Sequence, residues 1–530
     1  MFFDSRRSTV HAKNGMVATS QPLAAMAGLQ ILMQGGNAVD AAVASAAVLN
    51  VVEPESTGIG GDMFALVWNA NEKRVHALNG SGRAPAAASI DELKSKGYRD
   101  MPDAGVFSVS VPGTVHGWET ILNVHGSMPL LEVMKPAIRY AEEGFPASDI
   151  ISHQWSGQAS RLAQYPSGYE MLLDGRAPKP GEVMRLTTLG KTLRAIAEGG
   201  SEAFYTGKVA EKMSSFVQEH GGWITTEDLA NHTSDWDEAI STDYRGITCW
   251  ECPPNGQGIA ALEAMNIVEG FDIAGMGAQT AGAYHHLIEA MRLGFADAYR
   301  YVADPRKAEV PVSQLTTKSY AAQRRELIDS TRAMNTVPYG QPFGDSDTVY
   351  ISCVDGKGNA CSFINSVYSN FGSGLVVPGT GIVLQNRAAL FSLEPEHPNA
   401  LEPGKRPFHT IIPAMATRDG EMYLCYGVMG GFMQPQGHLQ VISNMTDHGM
   451  DPQQALNALR FLVTGDSVVL EEGLALNVVN DLKSRGHQVQ MASGYSRVGM
   501  GGGQIIQRDP ETGVLSGGSE PRKDGCAVGW

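Results

Sequence analysis

The sequence lacks the features that mark disulfide-rich, membrane-spanning and nucleic-acid-binding proteins. Its 530 residues include only six cysteines, and their scatter is typical of reduced thiols rather than of a disulfide framework. The longest apolar stretch, residues 41–52, is too short and too rich in alanine to span a bilayer. The net charge of −16 disfavours a nucleic-acid partner and adhesion to anionic membranes, because both need a basic surface.

Export signals, metal-ligand clusters and the common hydrolase motifs are also missing. Residues 1–8 include two arginines but no apolar segment after them, which predicts a cytoplasmic protein without a secretory signal. The single Cys-x-x-Cys, Cys249 to Cys252, has no second pair and is expected to flank a strand end rather than to bind zinc. Neither GxSxG nor HExxH occurs, and we expect no metal and no organic cofactor.

What the sequence does contain is a globular pattern of helices followed by short strands. Apolar residues make up 43% and charged residues 18%, which are globular values. Apolar spacing predicts a helix over 21–34 and a second helix, capped by Asn37, that ends near Asn50. Further helices are predicted near 130–143, 187–198, 207–219, 258–268, 280–301 and 434–448. The stretch 303–347 is expected to be loop-rich, and strands dominate from Thr348.

The junction between Asp347 and Thr348 is the candidate reactive site. Thr348 opens an alternating run, 349–354, that predicts a strand, and a turn over 355–359 leads into a second strand over 360–364. A threonine at a chain terminus combines a nucleophilic hydroxyl with an α-amine that can act as its base. Most Asp-Thr pairs are ordinary entries into strands, so the hypothesis depends on the rest of the chain.

Short blocks spread over nearly the whole chain support this hypothesis. They comprise 35–42, 58–62, 111–117, 253–258 and 295–297 before the junction, and Asn386, 405–407, 430–431, 452–461 and 520–525 after it. In this order and combination the blocks resemble the γ-glutamyltransferase family of N-terminal nucleophile hydrolases. The blocks 363–366, 372–374 and 409–413 resemble its cytoplasmic branch, which includes an oxamate amidohydrolase of purine breakdown.

The resemblance implies an α+β protein with a four-layer αββα sandwich. The chain would be made as a proenzyme that cuts itself between Asp347 and Thr348. The large subunit, 1–347, would be rich in helix; the small subunit, 348–530, would be rich in strand and begin at the nucleophile. Together they would form one αββα domain as a heterodimer, with further dimerisation left open.

The resemblance also implies the catalytic groups. The Thr348 hydroxyl would attack an amide carbonyl while its α-amine, with a pKa of ~8, takes the proton. Ser366 stands where the family has a threonine that hydrogen-bonds the nucleophile. The backbone N–H groups of Gly430 and Gly431 would stabilise the oxyanion. Water or an amine would then resolve the acyl-enzyme.

The substrate-binding positions depart from the family pattern. Ser81 replaces the arginine that binds the α-carboxylate of a γ-glutamyl group, although Arg83 lies two residues away. Leu390 and Tyr368 replace the aspartate and the asparagine that hold its α-amine. An ammonium group would lose its counter-charge there, which is costly in a dry site. Acyl chemistry is therefore expected to remain, while γ-glutamyl recognition is expected to be lost.

The same departures predict a small acyl pocket and a single bound carboxylate. His409-Thr410 replaces a serine pair, and a substrate carboxylate is expected at Arg83, His409 or Arg387. The candidate substrate-binding residues are Arg83, Tyr368, Asn386, Arg387, Leu390, His409 and Thr410. Oxamate, an amide joined directly to a carboxylate, is the leading substrate candidate. The alternatives are a γ-glutamyl hydrolase or transferase acting on glutathione-like substrates, a cephalosporin-type acylase, and an uncleaved, non-catalytic binding protein.

Overall fold

The computed structural model describes residues 7–335, 337 and 348–530. The strands in this part of the chain are β1 (Val10–Ala12), β2 (Gly15–Thr19), β3 (Asp62–Asn69), β4 (Arg74–Gly80), β5 (Phe145–Pro146), β6 (Val183–Met184), β7 (Asp235–Asp237), β8 (Ile240–Tyr244), β9 (Ile247–Glu251), β10 (Val349–Asp355), β11 (Ala360–Ser366), β12 (Val376–Val377), β13 (Ile382–Val383), β14 (Ala414–Arg418), β15 (Glu421–Met429), β16 (Phe461–Thr464), β17 (Ser467–Glu471), β18 (Gln488–Ala492), β19 (Gly502–Arg508), β20 (Leu515–Ser519) and β21 (Cys526–Gly529).

The α-helices of the described residues are α1 (Pro22–Met33), α2 (Ala38–Val52), α3 (Ile90–Ser95), α4 (Thr114–His125), α5 (Leu130–Glu143), α6 (Asp149–Leu162), α7 (Thr187–Gly199), α8 (Glu202–Tyr205), α9 (Gly207–Glu219), α10 (Thr226–Ala230), α11 (Gly258–Val268), α12 (Ile273–Met276), α13 (Ala281–Tyr301), α14 (Val312–Leu315), α15 (Lys318–Arg325), α16 (Met433–Thr446), α17 (Pro452–Asn457) and α18 (Leu476–Ser484). Four 3-10 helices cover Val106–Ser108, Pro166–Met171, Arg387–Leu390 and Gly494–Met500.

Two seven-stranded antiparallel sheets stack face to face between helices. The strand order is β1-β20-β19-β15-β14-β9-β8 in the first sheet and β21-β2-β10-β11-β3-β4-β7 in the second. Apolar side chains, among them Phe64, Tyr350 and Met415, fill the space between the sheets. Helices α11 and α16 pack on the first sheet, and α1 and α2 pack on the second. The layers therefore follow the order αββα.

Each sheet combines strands from both sides of Thr348. Strand β10 lies between β2 and β11, and β11 pairs in turn with β3. The register places Asp62, the first residue of β3, opposite Ser366, the last residue of β11. Val349, the first residue of β10, is opposite Asn365. The ends of these three strands therefore meet at Thr348.

The helices and strands predicted from periodicity are confirmed, including the strand that follows Thr348. The Asn37 side chain accepts the N–H groups of Val39 and Asp40, and the Asp40 carboxylate accepts the N–H of Asn37 at 2.8 Å. This capping box starts α2 where the sequence indicates it. All fifteen residues of α2 are buried, and its many alanines let it pack closely against α1, α5 and the second sheet.

The stretch expected to be loop-rich is more ordered than predicted. It contains α14 and α15, and the Thr317 hydroxyl accepts the N–H of Tyr320 at the start of α15. Pro311 immediately precedes α14, a place where proline does not interrupt helical hydrogen bonds. Asp347 lies outside the described residues. Among the helices described, none has both the length and the apolar character needed to cross a membrane.

Candidate active site

Thr348 is buried at the point where β3, β10 and β11 end together. Its hydroxyl oxygen lies 3.2 Å from the hydroxyl oxygen of Ser366. The Ser366 hydroxyl also accepts the N–H of Tyr368 at 2.8 Å, which fixes the serine rotamer. A Cβ on Gly61 would come within 2.2 Å of the carbonyl oxygen of Ser366, so only glycine allows this approach of the chains. The serine predicted to assist the nucleophile is in contact with it.

The predicted oxyanion glycines form the turn between β15 and α16. Gly430 and Gly431 have φ angles of 121° and 55°, a region that favours glycine. The Gln257 side-chain amide donates to the carbonyl of Gly431 at 2.9 Å and to the carbonyl of Thr410 at 2.7 Å. This one amide therefore ties the glycine turn to the loop that carries His409 and Thr410. The 14-residue helix α16 starts just beyond, with its positive end toward the turn.

Arg387 is buried, and its guanidinium is only partly hydrogen-bonded. Its Nη1 donates to the Thr410 hydroxyl at 2.7 Å, and its Cζ lies 4.5 Å from the centre of the Tyr368 ring. Within the described ranges, its Nε and Nη2 atoms have no hydrogen-bond partner. Burial lowers the pKa of Arg387 to about 10, against opposing contributions from Asp62 and Tyr368. Two buried donors without acceptors are an arrangement that an anionic ligand can complete.

Tyr368 and Leu390 line the neighbourhood of this guanidinium. Tyr368 has a φ of 79°, which is strained for a bulky residue and is typical of positions held by function. Burial raises the pKa of the Tyr368 phenol to about 12. Leu390 belongs to the same 3-10 helix as Arg387 and to the same apolar cluster as Tyr368. Neither side chain can neutralise a substrate ammonium at neutral pH.

His409 forms a buried pair with Asp62, a residue that the sequence analysis did not single out. The His409 Nε2 donates to Asp62 Oδ2 at 3.0 Å, and its Nδ1 accepts the N–H of Ile411 at 3.3 Å. Burial, reinforced by the charge of Arg387, lowers the pKa of His409 to about 3, so the imidazole is neutral. Both Asp62 and Gln257 lie within glycine-rich blocks of the family resemblance, which is the signal that could have identified them.

The other two candidates are engaged elsewhere. Arg83 Nη2 donates to Asp235 Oδ2 at 2.9 Å, and its Nη1 donates to the carbonyl of Thr233 at 3.1 Å. The Asn386 amide donates to the carbonyl of Asp103 at 2.8 Å and to the hydroxyl of Ser369 at 3.0 Å, and its oxygen accepts the N–H of Ser369. The Arg83 and Asn386 side chains are therefore hydrogen-bonded to other segments of the chain. Of the two arginines predicted to bind a carboxylate, Arg387 is the one with buried donors that lack a partner among the described residues.

A cavity of about 720 Å³ adjoins this site. Its apolar wall is formed by Tyr299, Leu390, Phe391, Phe408 and Phe432, and charged side chains at 99, 100, 103, 300, 394 and 396 also line it. Leu390 is close to Arg387 in sequence, Phe408 precedes His409, and Phe432 follows Gly431. Thr348, Tyr368 and Arg387 are not among the residues that line this cavity, so the small acyl pocket predicted from the bulk of Tyr368 and Leu390 stays a prediction.

The described residues include no group of three or more His, Cys, Asp or Glu side chains arranged to hold a metal ion. Cys249 lies within β9 and Cys252 just beyond its end, and both thiols are buried. Burial raises the pKa of each thiol. These two cysteines are parts of the core.

The family model named Gamma-glutamyltranspeptidase matches residues 24–530. The chain belongs to the γ-glutamyltranspeptidase family. It is 39% identical to the glutathione hydrolase-like YwrD proenzyme of Bacillus subtilis over 97% of this chain and 98% of that one. It is 34% identical to the oxamate amidohydrolase proenzyme of Klebsiella pneumoniae over 98% of this chain and all of that one.

A solved structure extends the comparison to the fold. A cephalosporin acylase from Bacillus halodurans is 48% identical, covers the whole chain and superposes with a TM-score of 0.94. The αββα fold of N-terminal nucleophile hydrolases is thereby confirmed, as is the class of enzyme, an amidohydrolase acting on amides. Within the family, relatives named for three different activities match nearly the full chain.

Proposed function

We propose that the protein cleaves itself before Thr348 and then hydrolyses amides whose acyl group carries a free carboxylate but no α-amine. The observation that carries the proposal is that two nitrogens of buried Arg387 have no hydrogen-bond partner among the residues that the structure describes. Oxamate is the smallest substrate of this kind. The two products of self-cleavage, 1–347 and 348–530, would remain together as a heterodimer because each sheet contains strands of both.

The proposed reaction uses the Thr348 hydroxyl, the α-amine that cleavage would free, and the glycine turn. The Thr348 hydroxyl oxygen bonds to the amide carbon, and its proton passes to the free α-amine. The resulting oxyanion accepts N–H groups at Gly430 and Gly431, and such a donor typically lowers the barrier by about 3–4 kcal/mol. The carbon–nitrogen bond then breaks, and the α-ammonium returns its proton to the leaving amine. Water resolves the ester on Thr348, which yields a carboxylic acid and regenerates the hydroxyl.

A connected set of contacts supports a single site for both ends of the substrate. From the nucleophile it runs through Ser366 and Tyr368 to Arg387. From Arg387 it continues through Thr410 and Gln257 to the carbonyl of Gly431. The Arg387 guanidinium is thus linked on one side to Thr348 and on the other to the oxyanion turn. In this proposal a short acyl group spans from a carboxylate at Arg387 to a carbonyl at Thr348.

The γ-glutamyl alternative lacks support at the α-amine. Tyr368 is a neutral phenol at pH 7, and Leu390 offers no acceptor. A substrate ammonium placed there would lose its hydration without gaining a charge partner. Specific binding of glutathione-like substrates is therefore disfavoured by about tenfold or more, which corresponds to one lost buried hydrogen bond.

A cephalosporin-type acylase is the second candidate, and the cavity beside Leu390 favours it. At about 720 Å³, the cavity has the size of a small-molecule site, and its wall combines aromatic and aliphatic side chains with charged ones. It can receive a bulky leaving amine while the acyl carboxylate binds Arg387. The two candidates share the acyl end and differ in the size of the amine.

Intact mass and two matched anilides test the proposal. The wild-type chain is expected to split before Thr348, and the Thr348→Ala chain is expected to stay whole at 56.6 kDa. Glutaryl and γ-glutamyl p-nitroanilides differ only by the α-amine, and we expect at least tenfold higher kcat/KM for the glutaryl compound. Ammonia release from oxamate identifies the smallest substrate. An uncut wild-type chain would favour the binding-protein alternative, and a preference for the γ-glutamyl anilide would favour the glutathione-hydrolase alternative.

A further inference from the structure

Gln257 bonds to the glycine turn of the candidate active site but has no part in the reaction steps above. It immediately precedes α11 and is fully buried. Its Nε2 donates to the carbonyl of Gly431 at 2.9 Å and to the carbonyl of Thr410 at 2.7 Å. Because both acceptors are carbonyl oxygens, the side-chain nitrogen must face them, and both of its N–H groups are used.

The backbone of Gln257 is itself anchored on two sides. Its N–H donates to the carbonyl of His409 at 3.0 Å, and the N–H of His409 donates to the carbonyl of Asn255 at 2.9 Å. The carbonyl of Gln257 accepts the N–H of Ala260, in the first turn of α11, at 3.0 Å. The side-chain amide therefore extends from a fixed backbone and can hold a neighbouring segment in place.

The glycine turn needs such support because its residues have no side chains to restrict their torsion angles. The carbonyl of Gly430 accepts the N–H of Met433 at 2.9 Å, and the carbonyl of Gly431 accepts the N–H of Gln434 at 3.2 Å. Both of these bonds come from the start of α16, which follows the turn directly. The Gln257 amide adds a bond from a distant segment of the chain.

The carbonyl that Gln257 holds also affects the direction of the oxyanion donors. Each peptide unit is planar, and its N–H points opposite to its C=O. The Met433 N–H fixes the peptide between Gly430 and Gly431, which carries the N–H of Gly431. The Gln257 amide fixes the next peptide, between Gly431 and Phe432. With both planes held, Gly431 has little torsional freedom, and its N–H keeps one direction.

We propose that Gln257 is a positioning residue that holds the glycine turn in the geometry that stabilises the oxyanion. The role rests on the proposed function, in which Thr348 attacks an amide and the N–H groups of Gly430 and Gly431 receive the negative charge. Donors of this kind act most strongly on the charge that develops in the transition state. A displaced turn should therefore lower kcat much more than it weakens the binding of a carboxylate.

Gln257→Leu tests this role, because leucine removes the amide and keeps an apolar side chain of similar size. The substrate is glutaryl p-nitroanilide, and its product glutarate is used as an inhibitor that forms no oxyanion. We expect kcat to fall about tenfold or more, while the inhibition constant of glutarate changes less than about threefold. An unchanged kcat would overturn the proposal. So would an inhibition constant that rises as much as kcat falls, because the whole site would then be disturbed.

Gln440→Leu is the matched control, because Gln440 is also a buried glutamine whose Nε2 donates to two carbonyls. Its acceptors are Gln436 at 3.0 Å and Phe461 at 3.1 Å, which belong to α16 and β16 rather than to the glycine turn. We expect kcat of Gln440→Leu to stay within about threefold of the wild-type value. A loss as large as that of Gln257→Leu would assign the effect to any missing buried amide and overturn the proposal.

If Gln257→Leu is not cut, hydrogen exchange is compared in the uncut Thr348→Ala chain with and without Gln257→Leu. Mass spectrometry follows the amides of Met433 and Gln434, which donate to the carbonyls of the turn. We expect them to exchange about tenfold faster or more without the Gln257 amide, and equal exchange would overturn the proposal.

The same experiments separate this role from the proposed function. A wild type that cleaves only the γ-glutamyl anilide would refute the proposed substrate class, and kcat would then be compared on that compound, since both anilides form the same oxyanion. A wild type that cleaves neither anilide would refute the proposed function, while the exchange comparison would still decide whether Gln257 holds the turn.

Discussion

Two buried arginines in this molecule, Arg522 and Arg387, have opposite environments. The Arg522 guanidinium bonds to the carboxylates of Glu471 and Glu520 at 2.6–2.8 Å and to the carbonyls of Leu456 and Ala458 at 2.8 Å. Burial alone would lower the pKa of Arg522, but these carboxylates outweigh it and raise the pKa. Every N–H group of this guanidinium has an acceptor, so it is complete without a ligand.

Arg387 is also buried, yet no carboxylate touches it within the described residues, and burial lowers its pKa to about 10. Both arginines are buried, so the difference between them is the number of acceptors that the fold supplies. A fully paired guanidinium stabilises the fold, whereas a partly paired one keeps N–H donors that can bind an anionic ligand. Four experiments test whether this contrast holds.

The largest effect is expected on stability at Arg522. The Arg522→Met change leaves Glu471 and Glu520 buried with fewer counter-charges, which should lower the free energy of unfolding by about 3–5 kcal/mol. Denaturant titration of the uncut Thr348→Ala chain measures it without a chain break. A loss below about 1 kcal/mol would mean that the network is not important for stability.

The reverse pattern is expected at Arg387. The Arg387→Met change should lower kcat/KM for glutaryl p-nitroanilide about 100-fold, mainly through KM, because truncating one partner of a buried charge pair costs about 2–5 kcal/mol of binding. Stability should be unchanged or slightly higher, since an incompletely paired buried charge is removed. Steady-state kinetics and the same denaturant titration separate the two quantities. A large loss of stability with unchanged KM would make Arg387 a structural residue like Arg522.

The dependence of kcat/KM on alkaline pH is a further test of the contrast between Arg387 and Arg522. A carboxylate binds the charged form of Arg387, so affinity is present below the pKa of about 10 and is lost as pH rises through it. We expect kcat/KM to fall tenfold per pH unit above this point. The uncharged butyryl p-nitroanilide should lack this alkaline limb, and an identical limb for both anilides would assign it to another group.

The smallest effect is expected at Arg83, the arginine that the sequence placed nearest the family's carboxylate-binding position. Arg83 bonds to Asp235, which also pairs with Arg306 and Arg406. After Arg83→Met, Asp235 keeps two partners, so kcat/KM should change less than threefold and stability by about 1 kcal/mol or less. A loss of activity comparable to that of Arg387→Met would place Arg83 in the site.

The helices and strands were predictable from the sequence because they depend on the spacing and capping of neighbouring residues. The alternation after Thr348 and the Asn37 cap specify their strand and helix through neighbouring residues alone. The resemblance to the family placed Thr348, Ser366 and the glycine pair, whose backbone geometry depends on glycine itself.

The recognition site was less predictable because its partners come from distant segments. The sequence offers Arg83 and Arg387 equally as carboxylate-binding residues. Their different partners, Asp235 for Arg83 and Thr410 for Arg387, come together only in the folded chain. The cavity beside Leu390 was not predicted for the same reason, since its wall includes Tyr299 from α13 and Phe432, which immediately precedes α16. Bulk at one position does not determine the volume of a pocket that several elements enclose.

The interleaving of strands from both sides of Thr348 also affects how the protein can recover from unfolding. An uncut chain refolds alone, with every strand of both sheets covalently connected to its neighbours. After cleavage before Thr348, refolding would require two separate chains to associate, so its rate and yield would depend on their concentration. The ladder pairs that β10 makes would be unaffected by the cut. Maturation would thus leave the folded contacts intact while making their loss practically irreversible, so the lifetime of the active enzyme would be governed by how slowly it unfolds.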